Sequence, residues 1–237
     1  MSGRAFNRRS AGGMEGISTD FESTPSELRS RAVQHGLHTL DETEILQLLV
    51  SRAATRRAGV LAARLMARFG GLAQVLGATL PELMQVVDAP VAVELKLLQD
   101  AWRRVLEFPL RRRSILNSGA AVAAYLRMSL GGQSRESFRV LFLDKRNGLI
   151  ADELMGEGTV DLAPVYPREV VRRALELAAS SCCLAHNHPT GDPTPSAADV
   201  EMTRQVVDAC RALGVTVHDH YLVAGDQVTS FRAAGLM

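Results

Sequence analysis

The apolar positions of the chain follow a helical period through most of its first half. Between Leu40 and Glu107 they recur every three or four residues, which is the spacing of amphipathic helices. Turn and cap residues divide this region, because Gly70-Gly71 ends one helix, Thr79-Leu80-Pro81-Glu82 begins another and Asp88-Ala89-Pro90 separates the last two. The pattern therefore predicts a small all-α domain of four or five short helices.

Polar segments set the limits of this helical domain. Residues 1–22 are rich in Gly, Ser and Arg and lack an apolar period, so they are predicted to form a disordered tail. Thr24-Pro25-Ser26-Glu27 then combines an N-cap residue, a proline and an acidic first turn, which indicates the start of a helix. A proline and three consecutive arginines predict a linker over residues 109–117. The helical domain is thus expected over residues 23–108.

The pattern changes in residues 118–237, where apolar strands alternate with amphipathic helices. Asn147-Gly148 lies between two apolar, β-forming segments, which predicts a tight hairpin. A short, fully apolar strand is predicted at Cys182–Ala185, between helices that begin near Pro167 and Ser196. Strands and helices that alternate in one sheet predict an α/β domain.

Composition restricts the function classes. The chain has 237 residues, 46% of them apolar, and a net charge of +1, which argues against a protein built mainly to bind nucleic acid. Its three cysteines cannot all pair, which fits a reducing compartment. No segment has the ~20 consecutive apolar residues of a membrane span, and the N-terminus lacks the apolar core of a signal peptide. We therefore expect a cytoplasmic protein without membrane contact.

The candidate chemistry lies in His186-Asn187-His188-Pro189 and the loop after it. Side chains at positions i and i+2 of an extended segment point the same way, so His186 and His188 can reach one metal ion. Asp199, near the start of the following helix, supplies a third ligand. Catalytic zinc is typically held by three protein ligands and keeps one position for water. The sequence therefore predicts a hydrolytic zinc site with one Zn²⁺ per chain.

Further residues are candidates for catalytic and supporting roles. Ser196 lies one helical turn before Asp199, where its hydroxyl can donate to an oxyanion or simply cap the helix. A carboxylate must also accept the proton of the attacking water. Glu136 is the first candidate for this base, with Glu153 and Glu157 as rivals that position alone does not separate.

A second His-x-His segment surrounds Asp219. Asp219 and His220 are expected either to support the metal ligands from outside or to be structural, because a full ligand set exists without them.

These motifs resemble those of known families. From Glu136 onward the chain resembles the JAMM, or MPN-plus, metalloprotease domain, whose motif is an upstream Glu followed by His-x-His-Pro, six residues, Ser, two residues and Asp. Five positions match at this spacing: His186, His188, Pro189, Ser196 and Asp199. More narrowly, four segments resemble the bacterial RadC family (UPF0758): Gly156-Glu157-Gly158-Thr159, Pro167-Arg168-Glu169-Val170, His186 to Asp192, and Asp219-His220.

The resemblance implies a fold and a function. It implies a cytidine-deaminase-like JAMM/MPN sheet with flanking helices over residues 118–237, acting as a zinc-dependent hydrolase on a peptide or isopeptide bond of a protein or peptide substrate. It assigns the metal to His186, His188 and Asp199, makes Ser196 the oxyanion donor, and favours Glu136 as the base.

An alternative function concerns the helical half, which is similar to a degenerate helix-hairpin-helix module. Such modules bring backbone amides to phosphate through a Gly-x-Gly hairpin, whereas Val86-Val87-Asp88-Ala89-Pro90-Val91 has no glycine and carries an acid. The alternative is a DNA-repair-associated protein that binds nucleic acid or a partner through this half and has a structural or vestigial zinc site. The sequence does not decide whether this half binds DNA.

Overall fold

A computed structural model describes residues 23–112, 119–158 and 165–237 of the chain. The predicted disordered tail at 1–22 lies outside these ranges. The described residues form a helical half followed by a mixed sheet covered by helices, as the sequence predicted. Within them, every helix is too short or too polar to cross a membrane.

The helical half contains six α-helices, and its boundaries follow the predicted cap residues. Thr24 and Thr79 each cap a helix through a reciprocal pair of hydrogen bonds with the glutamate three residues later, and Gly70 ends α3 in the left-handed conformation with φ of 92°. Their buried apolar faces form one core. The helices are α1 (Pro25–His35), α2 (Glu42–Val50), α3 (Ala58–Phe69), α4 (Leu72–Gly77), α5 (Leu80–Leu83) and α6 (Ala89–Arg112).

The structure differs from the predicted linker at 109–117. Helix α6 continues through residues 109–112, with Pro109 inside it, while residues 113–117 lie outside the described ranges. Proline removes one helical hydrogen bond but does not stop a helix that packing holds in place. Here the packing comes from Leu110, which is 1% exposed in a core shared with the sheet. In the same turn, Arg111 is exposed and donates to the carbonyl oxygen of Ile150 at 3.1 Å.

The second half contains a five-stranded mixed sheet in the order β2-β1-β3-β4-β5. Only β3 and β4 are parallel, and the helix between them forms the crossover. Because the other pairs are antiparallel, the described strands contain a single βαβ unit, at the centre of the sheet. The elements are α7 (Gly119–Leu130), β1 (Ser137–Leu143), β2 (Leu149–Glu157), α8 (Pro167–Glu176), β3 (Ser181–Asn187), α9 (Ala197–Ala212), β4 (Thr216–Ala224) and β5 (Gln227–Ser230).

Alternation along the strands divides the sheet into two buried faces. Phe138, Val140 and Leu184 belong to the core formed with α8 and α9. Leu141 and Ala185 belong to the core formed with α7 and the end of α6. Both faces are covered by helices, which explains why β3 is buried at every position.

Two glycines join the helical half to the sheet half. Gly77 ends α4 and Gly132 follows α7, and their backbones approach so closely that a Cβ atom on Gly132 would lie 2.4 Å from the carbonyl oxygen of Ala73 and 2.8 Å from the Cα atom of Gly77. Lys96 holds this end of α4 by donating to the carbonyl oxygens of Leu76 at 3.3 Å and Ala78 at 2.9 Å. The absence of a side chain at Gly132 permits this contact between the halves.

We predict that Gly132→Ala destabilises the protein. The new methyl group would meet backbone atoms, which cannot rotate away, so the free energy of unfolding should fall by about 1–3 kcal/mol. Denaturant-induced unfolding of the purified protein measures this change. Gly119→Ala is the matched control, because nothing lies within 4 Å of a Cβ atom at that position. A Gly132→Ala protein as stable as wild type would contradict the close contact.

Candidate metal centre

Three side chains converge where β3 meets the first turn of α9. His186 is the penultimate residue of β3, His188 follows the strand, and Asp199 lies in the first turn of the helix. The Nε2 atoms of the two histidines are 3.3 Å apart, and each lies 3.5 Å from an oxygen of Asp199. A tetrahedral ion bound at ~2.0–2.2 Å holds its ligand atoms ~3.3–3.6 Å apart. These three residues can therefore hold a metal ion.

The orientation of His188 also suits a metal ligand. Its Nδ1 atom lies 2.9 Å from the carbonyl oxygen of Asp192, and a carbonyl oxygen only accepts hydrogen bonds. Nδ1 therefore carries the proton, and in the neutral ring Nε2 presents a lone pair to Asp199 and His186. Lone pairs and a carboxylate that face one another repel unless a cation lies between them, so the site is built to hold positive charge.

Asp199 is held in its anionic form. Burial opposes ionisation, but hydrogen bonds from the hydroxyl and amide of Ser196 hold the pKa of Asp199 below its usual range. The Ser196 hydroxyl donates to Oδ2 of Asp199 at 2.6 Å, and the Ser196 amide donates to the same oxygen at 2.8 Å. An anionic carboxylate is the form that binds a metal.

Ser196 is the N-cap of α9. Its Oγ atom accepts from the amide of Asp199 at 3.1 Å, which completes a capping box. The predicted role of Ser196 as an oxyanion donor stays a prediction, because its hydroxyl proton points to Asp199.

The three candidate bases have different positions in the strand register. Glu136 directly precedes β1, and Phe138 pairs with His186, so continuing the antiparallel register brings Glu136 opposite His188 on the same face of the sheet. Glu136 is buried, at 7% exposed. It is therefore the candidate carboxylate nearest to the ligands by register.

Glu153 and Glu157 occupy other positions on β2. Both oxygens of Glu153 accept from the Arg173 guanidinium at 2.6 Å, and this hydrogen bonding lowers the pKa of Glu153. Glu157 pairs with Ser137 on the other side of the strand and lines a cavity of about 430 Å³ with Arg103. Neither rival shares the register position of Glu136 opposite His188.

Of the two residues expected to support the ligands, His220 contacts one directly. Its Nε2 atom lies 2.8 Å from Nδ1 of His186, and its Nδ1 atom lies 2.6 Å from Oγ1 of Thr203. His220 is fully buried, and burial together with the neighbouring His186 holds its pKa well below its usual range. Thr203 in turn donates to the backbone carbonyl of Asp199 at 2.5 Å.

Asp219 has a different position. It accepts hydrogen bonds from the Ser230 hydroxyl at 2.6 Å and from the amide of Arg232 at 3.1 Å, so it holds the C-terminal turn against β4. His218 bonds to Asn147 in the β1–β2 turn at 2.8 Å. Of the second His-x-His segment, His220 is thus the residue that bonds to a ligand.

Sequence reasoning missed Thr203. The available signal was its spacing, because Thr203 lies four residues after Asp199 and therefore on the same face of α9. Its link to His220 was not visible, because it depends on how α9 packs against β4.

The ligands border a cleft between the two halves. His188 and the loop after it line a cavity of about 550 Å³. Its opposite wall comes from the helical half through Arg68 and Phe69 at the end of α3 and Gln74 in α4. The candidate centre is therefore reached along a surface that both halves form.

Comparisons with known proteins agree with this arrangement. Residues 116–236 match the RadC-like JAB domain. A UPF0758 protein from Rhodobacter capsulatus is 45% identical over 213 residues, which cover 89% of this chain and 100% of that protein. The match includes the sheet, the three candidate ligands and, through the relative, most of the helical half. The chain belongs to the RadC family and carries its JAB domain.

Proposed function

We propose that the protein is a zinc-dependent hydrolase of the JAMM metallopeptidase type, which cleaves a peptide or isopeptide bond in a protein or peptide substrate. One observation carries the proposal: the Nε2 atoms of His186 and His188 lie 3.3 Å apart, and each lies 3.5 Å from one of the two carboxylate oxygens of Asp199, close to the spacing of ligand atoms around a tetrahedral ion.

The donor set supports zinc as the metal. Two imidazole nitrogens and one carboxylate oxygen are ligands that zinc binds in catalytic sites, where a fourth position stays open. Ca²⁺ instead prefers six or more oxygen ligands at longer distances. Mg²⁺ prefers octahedral coordination by oxygen and usually keeps several of its waters. His188 faces the interdomain cleft and is partly exposed, at 17% of its side chain, so a substrate can approach from that side.

The residues of the site fit hydrolysis. Bound zinc would lower the pKa of a coordinated water from ~15.7 towards ~7 and polarise the scissile carbonyl. Glu136 then accepts the proton of the attacking water and delivers it to the leaving amine. Support for this role comes from its position opposite His188 and from the pairing of Glu153 with Arg173.

Ser196 has a secondary role in the proposal. With a metal ion held by His186, His188 and Asp199, the Asp199 carboxylate would share its charge with the ion, and the Ser196 hydroxyl that now donates to it would be able to turn towards the oxygen of the substrate carbonyl. The hydrogen bond that the Ser196 backbone amide donates to Asp199 keeps the serine in place.

The helical half gives less support to binding of DNA. Asp88 precedes α6, where a hairpin module would bind phosphate, and it pairs with Arg57 at 3.2 Å. A carboxylate at a helix N-terminus occupies the electrostatic position of a bound phosphate. We therefore favour the helical half as a wall of the substrate cleft.

His188→Ala should abolish zinc binding, because two ligands remain where the site needs three. Native mass spectrometry of the purified protein should find one zinc in wild type and none in the variant. His38→Ala is the control, since His38 is exposed in the helical half far along the chain from the ligands. Wild-type protein that folds but binds no zinc would refute the proposed metal.

Glu136→Gln should retain zinc but lower turnover by about 10²- to 10⁴-fold, because the amide cannot accept the proton. Cleaved peptides can be compared across the proteome in cells that produce wild type or the variant. Peptides specific to wild type would identify substrates and should be missing with Glu136→Gln. Glu153→Gln is the matched control and should preserve them. If the two variants behaved in the opposite way, Glu153 would be the base.

A further inference from the structure

A continuous chain of hydrogen bonds runs behind the candidate ligands, away from the cleft. It connects the backbone carbonyl of Asp199, the hydroxyl of Thr203, both nitrogens of His220 and Nδ1 of His186, with distances of 2.5, 2.6 and 2.8 Å. The chain begins at one metal ligand and ends at another. Its proton positions follow from what each group can donate.

The hydroxyl of Thr203 sets the direction of the chain. The carbonyl oxygen of Asp199 can only accept, so the single hydroxyl proton of Thr203 must point to it. The Thr203 oxygen can then only accept from the other side. Nδ1 of His220, 2.6 Å away, must therefore carry a proton.

The state of His220 follows from its surroundings. It is completely buried, and the rings of Phe138 and Phe231 lie 5.6 and 4.3 Å from its own, so a charged imidazolium would be costly there. With a proton on Nδ1, the neutral ring has a lone pair on Nε2. Nδ1 of His186 donates to that lone pair, which leaves Nε2 of His186 free for the metal.

We propose that Thr203 and His220 are positioning residues that fix the tautomer and orientation of the metal ligand His186. This inference rests on the proposed metal site, but the tautomers themselves do not require the metal. Without the Thr203 hydroxyl, His220 can move its proton to Nε2 and donate to His186. His186 would then carry its own proton on Nε2, in the position that a metal must occupy.

Thr203→Val tests this role, because it replaces the hydroxyl by a methyl group of similar size. We expect the dissociation constant for zinc, measured by competition with a chromophoric chelator, to rise about 10- to 100-fold. Thr203→Ser restores the hydroxyl and should bind zinc as wild type does. Unchanged affinity in Thr203→Val, or no recovery in Thr203→Ser, would overturn the inference.

A spectroscopic measurement reads the tautomers directly. In full-length protein labelled with ¹⁵N-histidine, long-range ¹H–¹⁵N spectra distinguish protons on Nδ1 from protons on Nε2, and variants of single histidines assign the six residues. Wild type should show both His186 and His220 protonated on Nδ1. Thr203→Val should shift the His220 proton towards Nε2. A wild-type His220 protonated on Nε2 would overturn the inference.

A control distinguishes the loss of this chain of hydrogen bonds from general damage to α9. Val206 is fully buried on the same helix, and Val206→Ala removes packing without removing a hydrogen bond of the chain. It should keep the tautomers and the zinc affinity of wild type, and an equal loss of affinity would overturn the inference. Wild-type protein that binds no zinc would instead refute the proposed function, while the spectra without zinc would still decide the tautomers.

Discussion

The repulsion among three electron-rich groups is the constraint on which the site depends. His186, His188 and Asp199 point their donor atoms at one another within 3.5 Å, in a region where two of the three residues are buried. Such an arrangement is unfavourable unless a cation occupies its centre and the surrounding protein prevents the side chains from turning away. Much of the local structure serves the second requirement, through the cap at Ser196 and the carbonyl of Asp192.

The candidate ligands and the residues that hold them lie mainly in one supersecondary element, the βαβ unit of β3, α9 and β4. β3 supplies His186 and leads to His188, α9 supplies Asp199 and Thr203, and β4 supplies His220. In the parallel pairing of β3 with β4, Leu184 is the partner of His220. His220 therefore lies beside the strand that carries the candidate ligand His186. In a βαβ unit the helix begins near the carboxyl end of the first strand and then runs back antiparallel to it, which is why Asp199, in the first turn of α9, meets the histidines there.

The features that the sequence predicted well are local, and those that it missed depend on packing. The i, i+2 histidines and the Ser196–Asp199 capping box are set by strand and helix geometry alone, so their convergence was visible in the motif. The residues alone did not separate Glu136 from Glu153 and Glu157, because the position of each relative to the ligands depends on the strand register, which the sequence does not show. The role of Glu136 as the base stays a prediction. The end of α6 was misjudged because Pro109 is a local signal, whereas the burial of Leu110 is a tertiary one.

The C-terminal turn explains why the chain of hydrogen bonds through Thr203 and His220 fixes one tautomer of each histidine. Phe231 covers His220, its amide donates to the His220 carbonyl at 2.8 Å, and Asp219 holds the turn by bonding to Ser230 and Arg232. Water at this point would offer His220 another donor and acceptor, and either tautomer would then be satisfied. With water excluded, a wrong proton position leaves a buried polar atom unpaired, which costs about 1–3 kcal/mol. Asp219 thus acts on the site through the cover that it holds in place, although it contacts the C-terminal turn and not the ligands.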